Sequence, residues 1–133
     1  PLRRRENMRP RTLATVAETA RAGEPFDQSL ANFLDQFYSA PQASALADPP
    51  ALLASTFGDL GRIQDSYLAA TADELSRQFH FPLPVWAATD SRTLHEPWFA
   101  SSLASLRAIL LWESPAGFRS RNLFVSANAL SRV

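Results

Sequence analysis

The sequence predicts an all-α protein built as one compact domain of about six or seven helices. The 133 residues include 22 alanines but only 4 glycines, which favours helices over tight β-hairpins. Two long stretches place apolar residues at helical spacing. Proline also follows a polar residue at Pro49, Pro97 and Pro115, as it often does at the first position of a helix. No repeat and no shift in composition marks a boundary, so one domain is expected.

Two helices are predicted before residue 40. A short helix is expected over residues 12–22, ended by Gly23. A longer one is expected over 26–38, where Asp27 and Asp35 fall on the polar side. Its apolar stripe consists of Phe26, Leu30, Phe33, Leu34, Phe37 and Tyr38.

The middle of the chain is predicted to hold a second long amphipathic helix over 60–78. Before it, a loop or weak turn over 40–47 and a short helix over 48–54 are expected, the helix capped by Asp48 and begun by two prolines. After it, Pro82 and Pro84 exclude a continuing helix, because each removes a backbone donor. A single turn over 85–88 is expected to place Trp86 in the core.

The last third is predicted to begin with a helix from Pro97 to Glu113 that is apolar on most sides, with Arg107 as the only charged residue between Trp98 and Trp112. Such a pattern is typical of a central helix. A short helix over 114–121, extended residues 122–125 and a final turn follow. The predicted core comprises Phe33, Phe37, Leu68, Leu75, Leu106 and Leu110.

The net charge of zero hides an uneven distribution. Residues 1–11 carry +4 and are predicted to form a basic, mobile tail, whereas the domain is expected over 12–133. Within that domain, residues 12–112 carry −6 and residues 113–133 carry +2. Because no basic stripe crosses the domain, specific DNA binding is not expected.

Cellular location and cysteine chemistry are also constrained by composition. The absence of cysteine excludes disulfides, cysteine nucleophiles and thiolate metal sites, and it fits a reducing cytoplasm. No segment has the pattern of a secretory signal or the apolar length of a membrane span. A cytoplasmic protein is therefore predicted.

No motif predicts an enzyme, a cofactor or a metal. His80 and His95 lack the spacing of the nuclease and metalloprotease motifs that use histidine, although a hydrolase site formed by His95, Glu96 and Asp90 stays open. Residues 67–79 and 85–89 are also candidates for the two helices of a helix-turn-helix. Its second element offers no Arg, Asn or Gln to a base edge, so core packing is the preferred interpretation.

The segment after Glu113 combines arginines with aromatic residues, as protein–protein hot spots do. The alternative is a lid that closes the core with its aromatic rings while the arginines stay in water. The candidate partner-binding residues are Trp98, Phe99, Arg119, Arg121, Asn122 and Phe124.

Three stretches, Phe26 to Tyr38, Asp65 to Trp86 and Glu96 to Arg132, resemble a poorly characterised family of small bacterial proteins. The second stretch ends in the family-like Leu83, Pro84 and Trp86, and the likeness covers most of residues 24–133. Members of that family are often encoded beside nucleotidyltransferase-like proteins, in the manner of toxin–antitoxin pairs. The resemblance therefore implies an antitoxin that neutralises a neighbour-encoded protein, and it supplies no catalytic residues.

The leading hypothesis is a non-enzymatic protein that binds a neighbour-encoded partner, as the antitoxin of a toxin–antitoxin pair. In this hypothesis Arg119 and Arg121 enter an acidic catalytic cleft, with Phe124 and Trp98 as apolar anchors. The alternative function is a helix-turn-helix-like DNA-binding regulator. Homo-oligomerisation stays open.

Overall fold

The computed structural model of the chain describes residues 10–101 and 103–132. In that part of the chain the predicted all-α fold is confirmed, with seven α-helices and a single pair of very short strands. The helices are α1 Leu13–Arg21, α2 Phe26–Ser39, α3 Ser44–Ala47, α4 Ala54–Phe57, α5 Asp59–Phe79, α6 Ala104–Glu113 and α7 Ala116–Arg119. The strands are β1 Trp98–Phe99 and β2 Leu123–Phe124, and two 3₁₀ turns, Val85–Ala88 and Asp90–Arg92, lie between α5 and β1. Of the predicted basic tail, residues 1–9 lie outside the described residues.

Helices α1 and α2 pack against each other across the turn at Gly23, and both predictions for this region are confirmed. Thr12 caps α1, since its hydroxyl oxygen accepts a hydrogen bond from the Thr15 amide at 3.0 Å. Gly23 adopts a φ of +108°, which a residue without Cβ tolerates. The buried hydroxyls of Thr19 and Ser29, 2.9 Å apart, link the two helices.

Helix α5 is the central element of the fold, and the predicted helix over 60–78 is confirmed. Its apolar residues Leu68 and Leu75 pack into the main core cluster together with residues of α1 and α2. Another side of α5 contributes Ala70 to a second cluster, which includes Phe118 and Leu123 from the end of the chain. The C-terminal part of the chain is thus anchored on α5.

The prediction of a short helix over 48–54 is wrong, because α4 begins only at Ala54. The carboxylate of buried Asp65 accepts hydrogen bonds from the amides of Leu53 and Ala54, at 2.6 and 3.1 Å. Asp65, a residue of α5, therefore holds the first residue of α4 in place. Gly61 permits this close approach, since an added Cβ there would collide with the Leu53 carbonyl.

The helix predicted from Pro97 begins seven residues later, at Ala104. Residues 98–99 instead form β1, which pairs in parallel with β2 so that Trp98 lies opposite Leu123 and Phe99 opposite Phe124. The amide of Trp98 donates to the Asn122 carbonyl at 2.8 Å. The Ala100 amide likewise donates to the Phe124 carbonyl at 3.0 Å, so the pairing holds residues 98–100 outside a helix.

Five of the six predicted core side chains are buried, and the prediction for Leu106 is wrong. Phe33, Phe37, Leu68 and Leu75 lie in the main cluster, joined by Trp86, which confirms the expected burial of Trp86 in the turn over 85–88. Leu110 is buried outside that cluster, and Leu106 is 39% exposed. Helix α6 is therefore not the central helix that its sequence suggested.

Candidate protein-binding surface

Helix α6 and Leu103, the residue just before it, carry the largest run of exposed apolar side chains among the described residues. Leu103, Leu106, Ile109, Leu111 and Trp112 are all exposed, and Trp112 reaches 85%. Within α6 only Leu110 is buried. These exposed fractions leave a largely apolar surface along one short helix. We call these five exposed side chains the α6 surface.

Helix α6 has two charged residues, Arg107 and Glu113, and both are exposed. Arg107 is the only charged residue between Ala104 and Trp112, and its guanidinium carbon lies 5.2 Å from the centroid of the Phe99 ring. This cation–π contact places the guanidinium against the Phe99 ring of β1. The other exposed positions of α6 hold alanine, serine or large apolar side chains.

The C-terminal end of α6 is fixed to the rest of the fold by Ser114 and Arg119. Ser114 is buried, and its hydroxyl oxygen accepts a hydrogen bond from the Val125 amide at 2.8 Å. The exposed Arg119 donates to the Ser114 carbonyl at 2.8 Å and to the Trp112 carbonyl at 3.3 Å. A cation at this position also opposes the negative end of the helix dipole. Arg119 thus stabilises the helix end that presents Trp112.

Arg121 is buried, and this finding corrects the expectation that it meets a partner's carboxylate. Its guanidinium forms an ion pair with the buried Asp73 at 2.8 Å. It also donates to the carbonyls of Gly117 at 2.7 Å and Ala87 at 2.8 Å. Asp73 is held from its other oxygen by Arg77 at 2.9 Å. Arg121 therefore joins the C-terminal segment to α5 and offers no charge to the surface.

The remaining sequence-predicted residues lie on or beside the strand pair β1–β2. Phe99 and Phe124 stack with ring centroids 5.0 Å apart, and Phe124 is only 8% exposed. Asn122 adopts a φ of 63°, a conformation that asparagine tolerates, and its side-chain amide donates to the Leu94 carbonyl at 2.7 Å. Trp98 is half-buried on β1. Phe124 and Asn122 hold the strand pair together and do not offer a contact surface.

The two histidines considered in the sequence both lie at the surface. His80 ends α5 in the left-handed conformation, and both His80 and His95 are exposed. No group of three or more metal-ligating side chains is present among the described residues. The second element of the candidate helix-turn-helix is only a four-residue 3₁₀ turn. Its Trp86 indole donates to the Leu46 carbonyl at 2.9 Å.

The α6 surface was not predicted, because the sequence pattern was interpreted as a central helix with Leu106 in the core. The signal was present in the apolar character of α6 on all sides, but that pattern alone does not separate a buried helix from an unpartnered one. The fold and the α6 surface together define a small helical protein with one exposed apolar helix. In the described part of the chain, every helix is too short or too polar to cross a membrane.

Comparison with protein-family models, with curated proteins and with solved structures finds no match for this chain.

Proposed function

We propose that this protein binds a partner protein by laying α6 into an apolar groove on that partner. The observation that carries the proposal is the exposure of the α6 surface, above all Trp112 and Ile109, on a helix held by a single buried side chain. Clusters of exposed large apolar side chains on a small protein often mark interaction sites. An amphipathic helix in a groove is a common way for proteins to recognise one another.

The length of α6 supports the same proposal. An isolated helix of fewer than about 12–15 residues is marginal in water, and α6 has ten. In the described fold, α6 contacts the body chiefly through Leu110 and its anchored C-terminal end. A groove that covers Leu106, Ile109 and Trp112 would supply the packing that the body does not.

The charges favour an apolar groove over the acidic cleft expected from the sequence. Arg121 is buried in its ion pair with Asp73, and Arg119 donates to backbone carbonyls at the end of α6. Of the two charged residues of α6, Arg107 contacts the Phe99 ring, and the Glu113 carboxylate accepts a hydrogen bond from the Ala127 amide at 3.2 Å. A partner with an uncharged, apolar groove therefore matches this surface, because an acidic cleft would leave its carboxylates without counter-ions.

The antitoxin role implied by the family resemblance is the more specific form of this proposal. In that form the partner is the neighbour-encoded nucleotidyltransferase-like protein, and α6 neutralises it by occupying an apolar groove on its surface. The support for this choice of partner is the resemblance, whereas the support for protein binding is the α6 surface.

The proposal is tested by titrating the purified neighbour-encoded protein against the parent chain and two variants. Trp112→Ala removes the most exposed apolar side chain of α6. Truncation of such an anchor costs about 2 kcal/mol or more, which corresponds to roughly thirtyfold in Kd. Val85→Ala is the matched control, because Val85 is 88% exposed but lies outside α6. The melting temperatures of both variants should match that of the parent.

Two outcomes would contradict the proposal. Equal Kd values for the parent and Trp112→Ala would show that α6 is not the contact. If the free chain instead forms a dimer that Ile109→Asp dissociates, the groove belongs to a second copy of this chain, and the neutralising role through α6 is wrong. A co-expression assay then follows growth, with rescue expected from the parent and from Val85→Ala.

A further inference from the structure

A cavity of about 390 Å³ lies between α2, α5, β1 and the C-terminal residues 125–132. Leu30 and Leu34 of α2 and Val125 line its apolar part, and the aromatic side chains of Tyr67 and Trp98 form further wall. Asp27 lies at its edge, one helical turn before Leu30. This volume suits a small organic molecule, since ligand cavities in proteins have volumes of about 300–1,000 Å³. Of the residues that line it, none belongs to α6.

The aromatic wall of this cavity is held rigidly by its neighbours. The Tyr67 ring packs edge-on between Phe26 and Phe118, with centroid distances of 6.3 and 4.9 Å. Trp98 is fixed through its backbone, whose amide donates to the Asn122 carbonyl at 2.8 Å. A cavity with fixed walls binds a ligand at a lower entropic cost than one that must first be ordered.

The cavity has one carboxylate without a counter-ion. Among the described residues, Asp27 forms no ion pair and no hydrogen bond, and the Tyr67 hydroxyl likewise has no hydrogen-bond partner. Arg132, the other charged residue of the wall, forms an ion pair with Asp35 at 2.8 Å. Burial, and then the negative charge of Asp27, raises the pKa of Tyr67 to about 12, so the Asp27 carboxylate acts on that hydroxyl. Asp27 is exposed in the first turn of α2, so the cavity offers a ligand a solvent-accessible carboxylate, whereas its arginine is already paired.

We propose that this cavity binds a small organic amine, with the ammonium group at Asp27 and the apolar body between Leu30, Leu34 and Val125. A carboxylate beside two electron-rich rings is the arrangement that recognises alkylammonium groups, because the ring faces attract the cation that the carboxylate pairs with. The apolar part of the wall supplies the burial. This site is independent of the α6 surface and of the partner proposed for it.

The experiment uses three probes that share a phenyl ring and a two-carbon chain. Phenethylamine carries the ammonium group, 2-phenylethanol is its neutral counterpart, and 3-phenylpropanoate is an anion. Binding is followed by calorimetry and by the indole N–H resonances of the three tryptophans, of which only Trp98 lines the cavity. Asp27→Asn and Tyr67→Phe test the polar groups, and Asp59→Asn is the control, since Asp59 also lies in the first turn of a helix.

Phenethylamine should bind with a Kd at least about tenfold lower than that of 2-phenylethanol, and it should shift the Trp98 resonance while Trp86 and Trp112 stay in place. Asp27→Asn should abolish this preference, Tyr67→Phe should weaken amine binding, and Asp59→Asn should change neither. The proposal is overturned if the amine does not bind, if all three probes bind equally, or if Asp27→Asn retains the preference for the amine.

Discussion

Arg119 and Arg121 stand two positions apart on the C-terminal segment and have different environments. Arg119 is exposed and donates to the carbonyl oxygens at the end of α6. Arg121 is 5% exposed and pairs with Asp73 on α5. Both were predicted to bind a partner's carboxylates, because both are arginines beside aromatic residues. Their separation depends on contacts with Asp73 and Ala87, which are distant in the chain and leave no local pattern.

This contrast predicts unequal effects on stability. Arg121→Met leaves Asp73 buried with Arg77 as its remaining ion-pair partner, and breaking a buried pair costs about 3–5 kcal/mol. Arg119→Met removes an exposed side chain and should cost less than about 1 kcal/mol. Denaturant titration of the two variants measures both free energies of unfolding. Equal losses in the two variants would show that the ion pair between Arg121 and Asp73 does not stabilise the fold.

The raised pKa of Tyr67 predicts that the free energy of unfolding falls at high pH. Burial and Asp27 raise its pKa from 10 to about 12, so the folded state favours the protonated phenol. This contribution to stability is present below pH 10 and is lost as the pH rises towards 12. The chain has two tyrosines, and Tyr38→Phe leaves Tyr67 as the only one.

Ultraviolet absorbance of tyrosinate should then show an ionisation midpoint near pH 12 while circular dichroism still reports a folded protein. Asp27→Asn should lower that midpoint, because it removes the neighbouring negative charge. A midpoint at pH 10 in the folded Tyr38→Phe protein would contradict the buried position of the Tyr67 hydroxyl.

At the scale of elements, the helices with a one-sided apolar stripe were predictable and the C-terminal elements were not. The stripes of α2 and α5 repeat over several turns, so their positions follow from the sequence. Strands β1 and β2 have two residues each and pair across a long stretch of chain, which leaves no periodic signal. For α6 the apolar pattern predicted a helix correctly, but it did not show whether the protein itself or a partner covers it.

The exposed position of α6 predicts that its leucines contribute little to folding. Leu106→Ala should lower the free energy of unfolding by less than about 1 kcal/mol, since Leu106 is already 39% exposed. Leu75→Ala, at a fully buried position of α5, should cost about 2–5 kcal/mol. Thermal and denaturant unfolding of the pair measures this difference. A large loss in Leu106→Ala would place α6 in the core after all.

At the scale of the whole molecule, the described residues form an acidic body without a continuous basic face. They hold nine arginines against twelve acidic residues, and two of the arginines, Arg92 and Arg121, are buried. Arg92 donates to the Pro50 carbonyl and lies near Asp65 at 3.8 Å. The two buried arginines thus form ion pairs that link α5 to segments later in the chain. The exposed apolar surface is concentrated on α6.

The claim that α6 is the docking element is tested most directly by amide hydrogen exchange on the free chain and on its complex with the neighbour-encoded protein. In the free chain, amides of α6 should exchange much faster than those of α5, because a helix held by one buried side chain opens locally. In the complex, exchange over residues 106–113 should slow by roughly tenfold or more, with α5 unchanged. Protection that falls on other elements while α6 exchanges as in the free chain would contradict the account.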